Sequence, residues 1–264
     1  MKIALLGNGA ISRYVQQATL KQGLHIEAFL LRPQRLDENH QSVASDSSIV
    51  SSVTALPPDV THLIDCAGHQ GLAEHGPAAL RAGLDVITVS IGALADPDLY
   101  DDLVSSATEG GSRLHLASGA IGALDTLRAA RSGQLDSVRY TGRKPPQGWI
   151  GSPAEQILDL QSPLPSALTH FTGSARDAAL RYPKNANVAA AVALAGVGFD
   201  TTEVELIADP TISSNIHEIC ASGDFGSFTF SITGNSLPDN PRSSALAAMS
   251  VVAEILAINK PIRS

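Results

Sequence analysis

Cysteine is scarce in this chain of 264 residues: Cys66 and Cys220 are the only two, both in strand-like segments without metal-ligand spacing. They read as small buried hydrophobes, and a disulfide framework is not expected. Basic residues are also in short supply. The net charge is −8 and Lys and Arg form no run, so the chain lacks the basic patch with which a protein neutralises a phosphate backbone, and nucleic acid is not an expected partner. The longest apolar stretches, such as Val188 to Val197, fall far short of the roughly 20 residues that cross a bilayer, and no membrane partner is expected. The start, Lys2-Ile3-Ala4-Leu5-Leu6-Gly7, has no charged leader followed by an apolar core and cleavage site, so a cytoplasmic location is expected. The eight histidines form no metal-ligand pattern: His69 and His75, six apart, do not share a helix face, and no metal is expected. His25, His40, His62, His115 and His170 stand at element edges and read as structural or surface residues.

What is present is an ample supply of core-forming residues, 44% of the chain, arranged in two grammars. Up to about residue 120, short apolar strands (2–6, 25–31, 61–67, 85–90 and 113–118) alternate with amphipathic helical patterns (10–22, 69–82 and 96–109), with Gly23 and Gly83 placed like residues that end helices. Continuous apolar strands alternating with helices imply a parallel sheet covered on both faces, an α/β doubly wound Rossmann domain over residues 1–121. Residues 122–242 read differently. A helix over 122–132 leads to a strand near 138–142 and a Pro- and Gly-rich loop over 144–148; two helices follow over 174–182 and 185–196, then three alternating strands over 202–208, 215–221 and 226–233. Successive strands predict a second, α+β catalytic domain with a mainly antiparallel sheet. The last helix, 243–258, is apolar on a broad face and is expected to pack back on the first domain.

The strongest local signal is Gly7-Asn8-Gly9-Ala10-Ile11-Ser12, between the first strand and the first helix. Gly7 permits the tight turn, Gly9 lets the backbone approach a pyrophosphate, and the helix N-terminus, with Ala10 and Ile11, offers N–H groups and positive dipole. Ser12 stands where the third glycine of the pattern is usual. This context predicts dinucleotide binding, as in a nicotinamide-dependent oxidoreductase, without fixing the reaction. The second strand ends in Leu31-Arg32-Pro33-Gln34-Arg35, with no carboxylate before Asp37. Two arginines suit a 2′-phosphate, but solvated loop charges would look the same, and NAD and NADP both stay open.

Three segments of the second half could carry chemistry. His217, on one strand face with Asn215 and Ile219, is either an acid–base group or a satisfied sheet histidine. In Pro183-Lys184-Asn185-Ala186-Asn187 two asparagines open an apolar helix; one is expected to cap it and the other to present its amide to a ligand, with Lys184 adding charge. Ser118-Gly119-Ala120-Ile121-Gly122 follows the last Rossmann strand and reads as a border of the nicotinamide site or as a glycine-rich turn. Lys144, ahead of Pro145-Pro146, reads as a loop residue without an evident partner.

Together these motifs, with Asn215-Ile216-His217 and Asn240-Pro241-Arg242-Ser243-Ser244, resemble the L-aspartate dehydrogenase family over nearly the whole chain. The resemblance implies a Rossmann domain plus a catalytic domain, a homo-oligomer such as a homodimer, and reversible NAD(P)-dependent deamination of L-aspartate to oxaloacetate and ammonia through iminosuccinate, a route that could feed pyridine nucleotide biosynthesis. By position, His217 matches the family's active-site histidine, and Ala120 and Asn187 its cofactor contacts. The residues alone leave two other readings: a two-domain reductase of the dihydrodipicolinate or homoserine dehydrogenase type, and a non-catalytic NADP-sensing protein.

Overall fold

Every residue of Ile3–Leu6 is buried, as a strand covered on both faces requires, and this strand, β1, opens the chain. The computed structural model describes residues 1–35, 47–238, 240–258 and 260–262, without the side chains of residues 35, 241 and 242. Asp37 and His40 therefore lie outside the described residues. After β1 come α1 (Ala10–Leu20), β2 (Ile26–Leu30), β3 (Ser48–Val50), β4 (His62–Asp65), α2 (His69–Arg81), β5 (Asp85–Thr88), α3 (Pro97–Gly110) and β6 (Leu114–Leu116). Among the described residues these strands form a six-stranded sheet in the order β3-β2-β1-β4-β5-β6, parallel at every pairing. That order is the doubly wound Rossmann arrangement, and its reversal point lies between β1 and β4. The three residues of β3, in a serine-rich stretch, give no strand signal in the sequence.

The second part contains α4 (Leu124–Ala130), β7 (Leu135–Lys144), β8 (Leu168–Ser174), α5 (Ala175–Arg181), α6 (Asn187–Ala195), β9 (Glu203–Ala208), β10 (Asn215–Gly223), β11 (Gly226–Gly234), β12 (Ser236–Leu237) and β13 (Asn240–Ser244). Its main sheet runs β11-β10-β7-β9-β8; β7 and β9 are parallel and the other pairings antiparallel. The expected α/β plus α+β organisation is thus the observed one. β8 escapes a reading by alternation because its register shifts between Thr169 and Phe171, which leaves His170 and Phe171 buried in succession.

The last helix, α7 (Ala245–Ile258), belongs almost entirely to the first unit, which comprises Met1–Ala93, Pro97–Ala117 and the chain from Ala247. Val251, Val252 and Ile255 join Ile3, Leu5, Val15, Phe29, Ile64 and Ile87 in its core. The second unit comprises Leu94–Asp96 and Ser118–Leu246. Both cysteines are half-buried and unbridged; Cys220 Sγ lies near Glu218 and Thr229 rather than in a core. Among the described residues no helix is long and apolar enough to cross a membrane.

Candidate active site

In the first unit the chain leaves β1 at Gly7, whose φ of +88° suits glycine. A side chain there would also stand 3.1 Å from Ala67 Cβ, so Gly7 lets the β1 and β4 turns lie against each other. Gly9 caps α1 in an extended conformation, makes no side-chain cap, and an added Cβ would meet nothing within 4 Å. The turn therefore presents open backbone and the first-turn N–H groups of Ala10 and Ile11, with no acidic side chain in that turn to compete with an anion. These features fit a dinucleotide pyrophosphate. Ser12, in the third-glycine position, is buried and donates from Oγ to the Gly7 carbonyl at 2.8 Å, so it closes the turn that a glycine would leave open. Arg32 is exposed at the end of β2 and donates to Gln70 Oε1 at 2.9 Å, which holds its guanidinium beside α2.

A residue that sequence reasoning overlooks organises this strand edge. Asp65, the last residue of β4, is fully buried. Its Oδ1 accepts from the Ala67 N–H at 2.9 Å, and its Oδ2 accepts from Thr88 Oγ1 at 2.7 Å and Ser90 Oγ at 2.5 Å. Burial raises its pKa above the usual carboxylate range, against the opposing effect of these hydrogen bonds. One carboxylate thus shapes the turns after β4 and β5. Nothing in the local pattern distinguishes Asp65 from an ordinary strand-end aspartate; only the hydroxyls of Thr88, at the end of β5, and Ser90, just beyond it, do.

In the second unit His217 sits on the buried face of β10, and its Nδ1 is 2.8 Å from the Tyr140 hydroxyl of β7. The register opposes His217 to Gly142, and a Cβ at Gly142 would come within 2.6 Å of that hydroxyl, so the glycine makes room for the pair. Burial, with a contribution from the charge of Lys144, pushes the His217 pKa down to about 4. Burial likewise raises the Tyr140 pKa, so the pair at neutral pH is imidazole and phenol.

Lys144 is not a loop residue. It ends β7, is only 9% exposed, donates from Nζ to Asn185 Oδ1 at 2.8 Å and lies 4.9 Å from the centre of the Trp149 ring. Burial lowers its pKa to about 8. The expected capping role also changes hands: the N-cap of α6 is Ala186, which offers no side-chain oxygen, and Asn185 turns its amide to Lys144 instead. Lys144, Lys184 and Asn185 line a pocket of about 700 Å³ together with Gln147, Ser213 and Asn215. Asn215 lies two residues from His217 on the same strand face. Asn187 is the first residue of α6, and Ala120 lies in the turn before α4, where Ala123 holds a left-handed φ of 58°. Gly122 in that turn packs against Phe230 of β11, where a Cβ would come within 2.8 Å of the ring. His170, read as an edge residue, is buried in β8 against Trp149, with Nδ1 3.3 Å from the Tyr182 hydroxyl and its pKa pushed down to about 4 by burial and by Lys144.

These two histidines set an acid limit on folding. Both titrate near 6.5 when unfolded and near 4 when folded, so between those values the unfolded chain binds the extra proton. Their contribution is complete above about pH 6.5 and is lost as the pH falls toward 4. For His217 the slope should approach about 1.4 kcal/mol per pH unit. Denaturant unfolding followed from about pH 7 to pH 5 should show it, and a His217→Asn variant should have a shallower slope.

Residues 125–258 match the family model described as aspartate dehydrogenase, C-terminal, and residues 7–117 match that of the homoserine dehydrogenase NAD binding domain. The chain is 54% identical over 255 residues to the L-aspartate dehydrogenase of Ruegeria pomeroyi, covering 97% of this chain and 91% of that one. It is 44% identical over 257 residues to the Pseudomonas aeruginosa protein of the same name, covering 96% and 95%. Among solved structures, aspartate dehydrogenase from Thermotoga maritima superposes with a TM-score of 0.79 at 25% identity, covering 100% of this chain and 99% of the other. A hyperthermophilic archaeal homoserine dehydrogenase shares the fold, with a TM-score of 0.61 at 12% identity over all of both chains.

Proposed function

This chain belongs to the L-aspartate dehydrogenase family, and from that premise we propose that it deaminates L-aspartate oxidatively to oxaloacetate and ammonia through iminosuccinate, using NAD or NADP. The observation that carries the reading is His217: a buried, neutral imidazole braced by Tyr140, two residues along its strand from a pocket bearing Lys144 and Lys184. The nicotinamide, when bound, supplies the acceptor for hydride from the substrate Cα. The protein's own work is orientation and proton transfer. With Nδ1–H donating to the Tyr140 oxygen, His217 Nε2 has its lone pair available to take a proton from the water that attacks the imine; in the reverse direction it returns that proton.

Gly7, Gly9, Ala10 and Ile11 are assigned to the pyrophosphate, Ala120 and Asn187 to further cofactor contacts, and Lys184 and Asn185 to the substrate. Arg32 is assigned to the 2′-phosphate of NADP, which would exchange its contact with Gln70 for a charge-assisted one. A homodimer in the cytoplasm that serves pyridine nucleotide biosynthesis completes the proposal. Initial-rate kinetics with L-aspartate and each cofactor test it. Arg32→Ala should raise the KM for NADP about tenfold and leave that for NAD nearly unchanged. Absence of aspartate-dependent reduction of either cofactor would sink the activity, and equal effects of Arg32→Ala on both cofactors would sink the 2′-phosphate assignment.

A further inference from the structure

We infer that Lys144 is the anion anchor of the second unit's pocket, its ammonium binding one carboxylate of a dicarboxylic substrate while Asn185 holds the ammonium in place. The inference rests on the reading of the chain as an aspartate dehydrogenase and names the residue that selects the substrate's charge. Lys144 is a buried cation without a counter-charge: among the described residues no carboxylate comes within 4 Å of its Nζ, and its contacts are the neutral Asn185 amide and the Trp149 ring. An ammonium has three donors, and Asn185 takes one.

The lack of a partner is not for want of a nearby carboxylate. Asp209 donates its backbone N–H to the Lys144 carbonyl at 2.9 Å, yet its side chain turns away, accepting from Arg143 at Oδ2 and from Thr211 at Oδ1. The neighbouring arginine is thereby neutralised and the lysine is not. Burying a charge unpaired is costly, and a site that binds an anion gives that cost a use. The pocket has the matching polarity: its lining includes Lys144 and Lys184 and no Asp or Glu. Two positive charges without a negative one suit a ligand with two carboxylates better than one with a single carboxylate.

Succinate, a dicarboxylate that cannot be oxidised at an amine, is the probe. Its affinity is measured by competition against L-aspartate and by titration of the protein saturated with NADH, with propionate as the monocarboxylate control. Wild type should bind succinate much more tightly than propionate. Lys144→Met should weaken succinate about 30-fold or more, and raise the KM for L-aspartate by more than it lowers kcat. NADH affinity should hold, and the thermal midpoint should stay or rise, because methionine fills similar volume without a buried charge. A lysine with only a structural role would lower the midpoint instead. Lys144→Gln provides a second, polar variant with the same expectation for succinate. Unchanged succinate affinity in folded Lys144→Met or Lys144→Gln overturns the anchor, as does a wild type that prefers propionate. A wild type that binds succinate through Lys144 but does not oxidise aspartate would leave the anchor standing and remove the proposed reaction; aspartate oxidation with succinate binding indifferent to Lys144 would do the reverse.

Discussion

Replacing His217 by alanine is expected to lower kcat for L-aspartate by about 10²- to 10⁴-fold, the range for loss of a positioned general acid–base. The expectation comes from the state in which the fold keeps this imidazole. Buried on β10, with its pKa at about 4, His217 is unprotonated throughout the neutral range, so it can accept a proton from water without first losing one. The Tyr140 hydroxyl at Nδ1 fixes the ring, and the proposed base is the tautomer in which Nδ1–H donates to it. Tyr140→Phe should therefore cost less than His217→Ala, since it removes the brace and leaves the base. NADH affinity of His217→Ala should stay close to wild type, which separates lost chemistry from lost cofactor binding. Wild-type turnover in a folded His217→Ala protein would remove the residue from the mechanism.

Asp65→Ala is the second large effect, and it acts through stability. Truncation takes the common acceptor from the buried Thr88 and Ser90 hydroxyls and from the half-buried Ala67 N–H. Each stranded donor costs on the order of 1–3 kcal/mol, so the unit should lose about 3–5 kcal/mol in denaturant unfolding. Asp65→Asn keeps an oxygen for the Ala67 N–H and lets the two hydroxyls rotate, and should lose less. The pH behaviour runs opposite to that of His217. Because burial raises the Asp65 pKa, its titration favours the fold below the unfolded value of 3.8, and this contribution is lost as the pH rises through the folded value. Gly7 packs against Ala67, so a loosened β4 turn should also weaken NADH binding. A stability loss under about 1 kcal/mol would show that the three donors find other partners.

The fold is legible in the sequence where its signals are local. Ile3–Leu6 followed by the Gly7 and Gly9 turn and an amphipathic helix can be read residue by residue, because strand, turn and helix each have a period or a required backbone conformation. The same holds for the alternation that sets His217 on one face with Ile219. Legibility ends where the signal is short or broken: three-residue β3 has no period to detect, and the register shift in β8 puts neighbouring residues on the same side.

The sequence by itself determined the two grammars, the phosphate-binding turn and, through ordered motifs, the family. Tertiary structure alone decided which polar residues are buried and with whom. Tyr140 meets His217 across 77 residues of sequence, Lys144 meets Asn185 across 41, and Asp65 meets Ser90 across 25. The physical reason is that a pKa and a hydrogen bond depend on burial and on the groups across the sheet, and neither quantity has a period along the chain. Lys144 shows the difference most directly. In the sequence it is a lysine before two prolines, and in the sheet it is a desolvated cation at the end of β7, facing a pocket with no acidic side chain.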